Sequence, residues 1–293
     1  MDQTKYAVLT DSACDIPPEL EKEYGIDILN FKIALDGEAY VERVDFTPSQ
    51  YCEMLRSATG TPTTSQLNVN EFLEKFIEYD DAGIDAVLYV SINGGGSATH
   101  QNACQAATAF REERPGSRMR ISIVDSHSYS FAYGMHVVEA ARRLRAGEAM
   151  DAVVAYLEDV FTRMEIVLTA YTLKVIRKSG RVSAAAAIAG DLLGIHPVFT
   201  LNGGVSKVVK KVRGDKAVCS GMCRYVKEHI KPGAPYCIGV SDPQYVEAYR
   251  EGLTQALGYP PARVFELGGA VLSNTGPDAV GVVYEGREAH TNA

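Results

Sequence analysis

Short apolar runs alternate with capped, helix-forming segments through the first half of this chain, and this alternation constrains the fold more than any other feature. Ala86–Ile92 is an almost continuous apolar run, as expected for a strand that is buried on both faces. Thr47 and Asn68 each begin a capping box, with Gln or Glu three residues later, and predict helices that end near Ser57 and Tyr79. Such alternation predicts a parallel sheet covered by helices.

Other segments of this half extend the same pattern. Strands are predicted at Tyr6–Thr10, Ile28–Leu35 and Ile121–Val124, and helices at Pro17–Tyr24, Ser130–Ala146 and Asp151–Met164. Three of the strands end at Asp11, Ser91 and Asp125. We expect these residues at the carboxyl edge of the sheet, where open α/β folds bind their ligands.

From Glu165 onward the pattern becomes typical of a mixed sheet. The runs Pro197–Leu201 and Val205–Val212 flank Asn202-Gly203-Gly204 and predict a β-hairpin. The other predicted elements are strands at Ile166–Tyr171, Tyr236–Ser241 and Val264–Glu266 and helices at Ser183–Leu193, Lys216–His229 and Tyr245–Leu257. We therefore expect an α/β protein of two domains: residues 1–164, a three-layer α/β/α parallel sheet that carries the binding loops, and residues 165–293, a mixed α/β sandwich with helices on one face of its sheet.

Composition excludes several classes of function. The formal net charge of -8 disfavours binding to nucleic acid and to anionic membrane surfaces. The first apolar run is too short for a signal peptide, and no apolar stretch reaches the length of a transmembrane helix, so we expect a cytoplasmic protein without stable membrane insertion. The six cysteines lack C-x-x-C spacing and the histidines lack H-E-x-x-H spacing, so reduced thiols and no metal or cofactor are expected.

Two hydroxyl-rich loops, Thr61–Gln66 and Ser91–Thr99, each lead toward a predicted helix. The first N–H groups of a helix have no intrahelical partner and carry partial positive charge, so both loops are expected to aim backbone amides and hydroxyls at one place. Ser97 and Thr64 are candidate helix caps, and a capping hydroxyl can also donate a hydrogen bond to a ligand. The loops therefore predict a site for a small anion, either a carboxylate or a phosphate.

An ordered set of short motifs, spread over nearly the whole chain, resembles the DegV family. The motifs are Thr10-Asp11-Ser12, Thr64-Ser65-Gln66, the glycine-rich Ser/Thr turn, Asp125-Ser126, Lys178-Ser179-Gly180-Arg181, Gly194-Ile195-His196-Pro197, Lys211-Val212-Arg213-Gly214 and Thr275-Gly276-Pro277. The resemblance implies a lipid-binding protein, not an enzyme, that holds a long-chain fatty acid in a buried tunnel between the domains. It also implies a partner, a fatty acid kinase, to which the carboxylate is presented.

The resemblance also implies which residues meet the ligand. Thr63, Thr64, Ser65 and Ser97 are implied to hold the carboxylate, and Arg181 and Arg213 to lie at the mouth of the tunnel or at the kinase-docking surface. Asn274 stands where the family commonly has a histidine, and the turn Gly94–Thr99 departs from the usual Ser-Gly-Leu-Ser-Gly-Thr. Asparagine donates and accepts hydrogen bonds but does not titrate. If the family histidine assists the kinase, binding persists here while phosphorylation is slowed or absent.

The alternative is a phosphotransferase, or a phosphate- or hydroxyketone-binding subunit, of the dihydroxyacetone-kinase type, whose substrate-binding fold the DegV family resembles. Helix N-termini would also suit a phosphate. However, the sequence has neither a G-x-G-x-x-G nor a G-x-x-x-x-G-K-[ST] motif, so any ATP must come with another protein. A triad at Asp125, Ser126 and His127 is disfavoured because no G-x-S-x-G elbow is present, and local capping is expected there instead.

Overall fold

A computed structural model describes residues 5–186 and 194–290. The strands in these ranges are β1 (Tyr6–Asp11), β2 (Ile26–Leu29), β3 (Lys32–Leu35), β4 (Glu38–Val41), β5 (Thr63–Ser65), β6 (Ala86–Ser91), β7 (Arg120–Asp125), β8 (Met164–Ala170), β9 (Ile195–Asn202), β10 (Val205–Arg213), β11 (Tyr236–Val240), β12 (Arg263–Glu266) and β13 (Ala279–Glu285). The helices are α1 (Pro18–Tyr24), α2 (Pro48–Ser57), α3 (Val69–Asp81), α4 (Thr99–Glu113), α5 (Phe131–Arg145), α6 (Met150–Phe161), α7 (Ile176–Ser179), α8 (Ser183–Ala186), α9 (Asp215–His229), α10 (Val246–Leu257) and α11 (Gly269–Thr275).

The first sheet is parallel, with strand order β2-β1-β6-β7. Alternate residues of its central strands point to opposite faces: Val87 and Tyr89 pack under α3 and α4, whereas Leu88 and Val90 pack on the side of α5. Helices therefore cover both faces, and the predicted three-layer α/β/α arrangement is confirmed. The capping boxes at Thr47 and Asn68 are present and begin α2 and α3.

A small antiparallel sheet with the order β4-β3-β5 was not predicted. The sequence predicts one extended segment over Ile28–Leu35, but the chain turns after Leu29 and divides this segment between two sheets. Thr63–Ser65, predicted as a loop before a helix, is the third strand of this sheet and pairs with β3. The helix that follows begins only at Val69, with Asn68 as its cap.

The largest sheet is mixed, with the order β10-β9-β8-β13-β11-β12, and only β11 and β12 run parallel. The predicted hairpin is present, and Gly203 and Gly204 form its turn with φ of 55° and 77°. Strand β13, which no sequence pattern predicted, lies in the interior of the sheet between β8 and β11. The predicted helix over Ser183–Leu193 is present at Ser183–Ala186, and its remainder lies outside the described residues.

The two large sheets share one apolar core. Helices α9 and α10 cover one face of the mixed sheet, as predicted for this half, and bury Val167 and Tyr236. The opposite face carries Leu168 and Phe199 and packs in the same cluster as Val137 of α5. Helix α5 therefore contacts both the parallel and the mixed sheet. The division into domains at residue 164 stays a prediction, although β8 begins there and all later strands belong to the mixed sheet.

Candidate ligand-binding cavity

A cavity of about 90 Å³ lies where the first half of the chain meets the second. Both polar and apolar residues line it. Its polar lining is Thr64, Gln66, Ser97, Tyr129, Arg181, Asn274 and Thr275, and its other lining is Ala13, Phe31, Ile92, Gly96, Val182, Leu201, Ala270 and Val271. The two halves thus enclose a space that offers both hydrogen-bonding groups and apolar surface.

A second space of about 40 Å³, here called the chamber, lies beside this cavity on the inner face of the mixed sheet. Four residues line both spaces: Tyr129, Leu201, Val271 and Thr275. Beyond them the chamber is lined by apolar side chains such as Ile166, Leu168 and Phe265, with Ser130 the one further polar residue. The shared lining shows that the polar cavity and the apolar chamber are adjacent.

Hydrogen bonds hold the two hydroxyl-rich loops together at the polar end. The Leu67 N–H donates to Thr99 Oγ1 at 3.3 Å, and the Asn102 amide donates to the Leu67 carbonyl at 2.7 Å. These contacts connect the segment after β5 to the first turn of α4. The prediction that both loops converge on one place is therefore confirmed, although one of them is a strand.

The sequence predicted Ser97 as the N-cap of α4, but Ala98 occupies that position. The Ser97 hydroxyl instead accepts from the Thr99 N–H at 3.3 Å and lies 2.9 Å from Thr99 Oγ1. When the Thr99 hydroxyl donates in that contact, both lone pairs of Ser97 Oγ are engaged. The Ser97 hydroxyl proton is then available to donate into the cavity.

The sequence predicted that backbone amides of the glycine-rich turn are free to bind a ligand, but these amides already have hydrogen-bond partners. Gly94 N–H donates to the Asp125 carboxylate, Gly95 N–H donates to Asn93 Oδ1, and the N–H groups of Gly96 and Ser97 both donate to the Asn93 carbonyl. The turn therefore satisfies its own amides. Side chains, more than a helix N-terminus, supply the donors that face the cavity.

Strand alternation separates the members of the Thr-Thr-Ser segment. Thr64 is half-buried and lines the cavity, whereas Thr63 and Ser65 are exposed and are not in its lining. Successive side chains of a strand point to opposite faces, so the three hydroxyls do not converge on one point. The structure brings Thr64 to the same cavity as Ser97, and Thr63 and Ser65 lie on the other side of β5.

Of the remaining predicted site residues, Arg181 and Asn274 line the cavity and Arg213 does not. Arg181 follows the left-handed Gly180 that ends α7 and lies exposed in the cavity lining. Asn274 lines the cavity from α11 and donates its amide to the Ala270 carbonyl at 2.8 Å. Arg213 pairs with Ile195 at the end of the hairpin away from its turn, and nine residues of strand place it roughly 25–30 Å from that turn.

Three residues of the polar lining were not predicted as site residues: Gln66, Thr275 and Tyr129. Thr275 belongs to the Thr-Gly-Pro motif. Gln66 belongs to the Thr-Ser-Gln motif, which is a signal that could have identified it. Tyr129 carries no such signal: it accepts a hydrogen bond from Asn93 Nδ2 at 2.7 Å, and a Cβ on Gly96 would overlap its hydroxyl. Burial raises the pKa of Tyr129, so its phenol stays protonated and can donate.

The Thr10-Asp11-Ser12 motif fixes the backbone next to the cavity through Asp11. Asp11 is fully buried and accepts from Tyr133 Oη at 2.6 Å, from the Ile92 N–H at 2.9 Å and from Tyr89 Oη at 3.0 Å. Burial raises the pKa of Asp11 to about 6, with the hydrogen bonds from Tyr133 and Ile92 opposing this shift. Asp11 therefore holds the end of β6, where Ile92 enters the cavity lining.

Two buried carboxyl groups hold the N-terminus of α11, which forms one wall of the cavity. Asp15 accepts from the Gly268 N–H at 3.0 Å and Glu42 accepts from the Ala270 N–H at 2.8 Å. Burial raises the pKa of Glu42 to about 7, although hydrogen bonds from Ser12 and Ala270 oppose the shift. Burial likewise raises the pKa of Asp15.

At the carboxyl edge of the parallel sheet, the neighbouring groups perform local roles. Asp11, Ser91 and Asp125 end adjacent strands, as predicted. The Ser126 hydroxyl exchanges hydrogen bonds with the backbone of Ser128, and His127 N–H donates to Asp125. This is the local capping expected from the sequence. The six cysteines are free thiols.

Among residues 5–186 and 194–290, no three His, Cys, Asp or Glu side chains cluster in a way that suits a metal ion. In the same ranges, no helix has the length and apolarity needed to cross a bilayer. The polar lining of the cavity consists of hydroxyl, amide and guanidinium groups. It can hold an acid group by hydrogen bonds and one cation.

A parallel and a mixed sheet that enclose an apolar space with hydrogen-bond donors at one end define a class of α/β binding proteins. The chain belongs to the DegV family: the model described as an uncharacterised protein of the DegV family matches residues 5–287. A DegV domain-containing protein of Deinococcus radiodurans is 30% identical over 95% of this chain and 98% of its own length.

Solved structures agree with this membership. A DegV family protein from Thermus thermophilus, described by its fatty acid binding, has a TM-score of 0.84 at 30% identity and covers 97% of this chain and 100% of its own. A fatty acid binding DegV family protein from Streptococcus agalactiae has a TM-score of 0.84 at 27% identity, with the same coverage. The α/β fold is therefore that of the DegV family.

Proposed function

We propose that this protein binds one long-chain fatty acid, with the carboxylate at the polar end of the cavity and the tail in the apolar chamber. The observation that carries the proposal is the adjacency of the two spaces, since they share four lining residues but differ in polarity. Each methylene that leaves water for such a chamber contributes about 0.8 kcal/mol. The tail then supplies most of the affinity, and the polar end sets its orientation.

The carboxylate contacts in this proposal are Ser97, Thr64 and Asn274, with Arg181 at the mouth. Ser97 and Thr64 are half-buried hydroxyls on two loops held together through Thr99 and Leu67. Hydrogen bonds from such uncharged donors to a carboxylate contribute about 1–2 kcal/mol each, so they select the position of the head group. Thr63, Ser65 and Arg213 receive no supporting contact with the cavity.

The second part of the proposal is presentation of the carboxylate to a partner, a fatty acid kinase. Support comes from the charge of the segment that contributes Arg181 to the mouth. Although the whole chain has a formal net charge of -8, residues 166–214 contain one Asp and eight Lys or Arg, namely Lys174, Arg177, Lys178, Arg181, Lys207, Lys210, Lys211 and Arg213. A basic surface on an acidic protein steers an acidic partner to that side.

Native mass spectrometry of protein purified from cells tests the first part. We expect a bound mass of roughly 250–290 Da that organic solvent removes and that analysis identifies as a C16–C18 acid, a tail of the length that the methylene contribution favours. Delipidated protein should then take up added palmitate in a one-to-one ratio. Absence of lipid together with failure to bind added fatty acid would overturn the proposal, and ATP-dependent turnover of a small hydroxyketone would favour the phosphotransferase instead.

Reconstitution with a purified fatty acid kinase subunit tests the second part, with hydroxylamine trapping of acyl phosphate as the readout. Asn274→His is the informative variant, because it restores a titratable group at the polar end of the cavity. We expect faster acyl phosphate formation when the fatty acid is saturating, a condition under which a change in affinity at this contact does not alter the rate. Equal rates for the wild type and Asn274→His would show that the residue at position 274 does not affect the kinase step.

A further inference from the structure

Two glycines face each other across strands at the floor of the apolar chamber. Gly239 of β11 lies directly opposite Gly281 of β13, and Gly281 is also opposite Leu168 of β8. Residues that are directly opposite in an antiparallel pair share one face of the sheet. Leu168 belongs to the core on the chamber side, so the glycines leave a depression in that face.

The two glycines differ in what surrounds them. A Cβ on Gly239 would overlap Phe265 and Leu267, which already fill the space above it. A Cβ on Gly281 would meet only the Val167 carbonyl oxygen at 3.8 Å and Leu168 Cβ at 4.0 Å, which are ordinary contacts. The depression is therefore closed over Gly239 and open over Gly281, which lines the chamber.

Backbone geometry does not explain the glycine at position 281. Its φ is outside the left-handed region, unlike that of Gly276 at 91°. Glycine weakens a strand interior because it has no side chain to pack and loses much conformational freedom on folding. A glycine in the middle of a central strand therefore keeps space free at that point.

We propose that Gly281 sets the length of the acyl chain that the chamber accepts, by leaving room for the methyl end of the tail. The inference rests on the proposed binding of a fatty acid. Gly281 lines the chamber and not the polar cavity, so in the proposed binding mode it faces the tail and not the carboxylate. Protein interiors are close-packed, so a side chain at this position would take the volume of the last methylenes.

The test compares the affinities of saturated fatty acids from C12 to C20 in the wild-type protein and in Gly281→Val. Valine suits a strand and its γ-carbons would enter the chamber. Exclusion of two methylenes lowers affinity about tenfold, so we expect the preference for C18 over C14 to fall by about that factor. Val283→Ala enlarges the same chamber and should shift the preference toward longer acids.

Val282→Ile is the matched control, because Val282 lies on the same strand but packs on the opposite face under α9 and α10. Its length profile should equal that of the wild type. A wild-type protein that binds no fatty acid would overturn the proposed function itself. If the wild type binds and Gly281→Val keeps the same length profile, only the role of Gly281 is lost. Should Gly281→Val melt early, Val283→Ala decides: an unchanged preference overturns the inference.

Discussion

Gly204, in the turn between β9 and β10, lies against the side-chain amide of Asn93 in the glycine-rich turn, so closely that a Cβ on Gly204 would overlap that amide. Asn93 in turn donates to Tyr129 and orders the turn through its carbonyl and Oδ1. The hairpin of the mixed sheet thus abuts the loop that positions Ser97. We therefore expect a substitution at this contact to alter the position of Ser97 at the polar end of the cavity.

Gly204→Ala should lower both stability and fatty acid affinity. The φ of 77° strains an alanine by about 1–2 kcal/mol, and the added methyl displaces Asn93. Gly233→Ala is a matched control, because Gly233 has a φ of 76° and no neighbouring atom within 4 Å. Chemical denaturation and a fluorescent fatty acid displacement assay measure the two effects. Equal affinity losses in both variants would contradict a specific role for the contact with Asn93.

Thr64→Val and Thr63→Val should behave differently, although the two residues are adjacent. Valine keeps the shape of threonine and removes only the hydroxyl. Because Thr64 lines the cavity and Thr63 does not, we expect about fivefold weaker binding for the first and no change for the second. Isothermal titration calorimetry with palmitate gives the comparison, and a loss of affinity in Thr63→Val alone would reverse the assignment.

Ser97→Ala should weaken fatty acid binding by about 1–2 kcal/mol, since it removes the donor that Thr99 leaves available. Ser57→Ala provides a control, because the Ser57 hydroxyl bonds only carbonyl groups of its own helix α2. Displacement titrations measure both variants, and circular dichroism verifies the fold. Unchanged affinity in Ser97→Ala removes this residue from the site.

Arg181→Gln should weaken binding by about fivefold or less, the range expected for an exposed charge. Salt screens such an interaction, so wild-type affinity should fall between low and physiological ionic strength and that of the variant should fall less. Arg213→Gln is the control, because Arg213 lies at the far end of the hairpin. If the Arg213 variant shows the larger loss, the position of the head group is wrong.

Stability should decrease as the pH rises from about 5 to about 8. Burial raises the pKa of Glu42 from 4.5 to about 7, so the folded protein keeps a proton that the unfolded chain releases. The stability from this group is complete below pH 4.5 and is lost as the pH rises through about 7. The loss amounts to about 3 kcal/mol at most. Asp11, with its pKa raised to about 6, acts in the same direction.

Glu42→Gln provides the measurement that assigns this effect. Glutamine keeps an acceptor for the Ala270 N–H and has no proton to lose. Urea denaturation at several pH values should therefore give a flatter dependence for the variant than for the wild type. A wild-type stability that rises over this pH range would contradict the raised pKa.

Much of the fold could be predicted because its signals are local. Ala86–Ile92 indicated a strand with two buried faces, Thr47 and Asn68 gave both capping boxes, and Gly203-Gly204 indicated the hairpin turn. Each of these features depends on residues a few positions apart. The DegV motifs added the order of the elements, and Thr64, Ser97, Arg181 and Asn274 were found in one cavity lining.

The features that the sequence did not predict depend on contacts between segments that are far apart along the chain. Thr63–Ser65 is polar and short, and becomes a strand only because β3 lies beside it. The position of β13 in the sheet interior requires partners more than a hundred residues away in β8. The chamber was invisible because its lining residues have the composition of ordinary core. Tyr129 was missed because only the folded chain brings it beside Ser97, whereas the Thr-Ser-Gln motif could have identified Gln66.

The anchoring of α11 by Asp15 and Glu42 has a consequence for synthesis on the ribosome. The amides of Gly268 and Ala270 find their acceptors on a segment made more than two hundred residues earlier. A growing chain therefore lacks one wall of the cavity until α11 has left the exit channel. Ligand capture must await almost the entire polypeptide, so a loaded molecule reports that both ends of the chain have been assembled correctly.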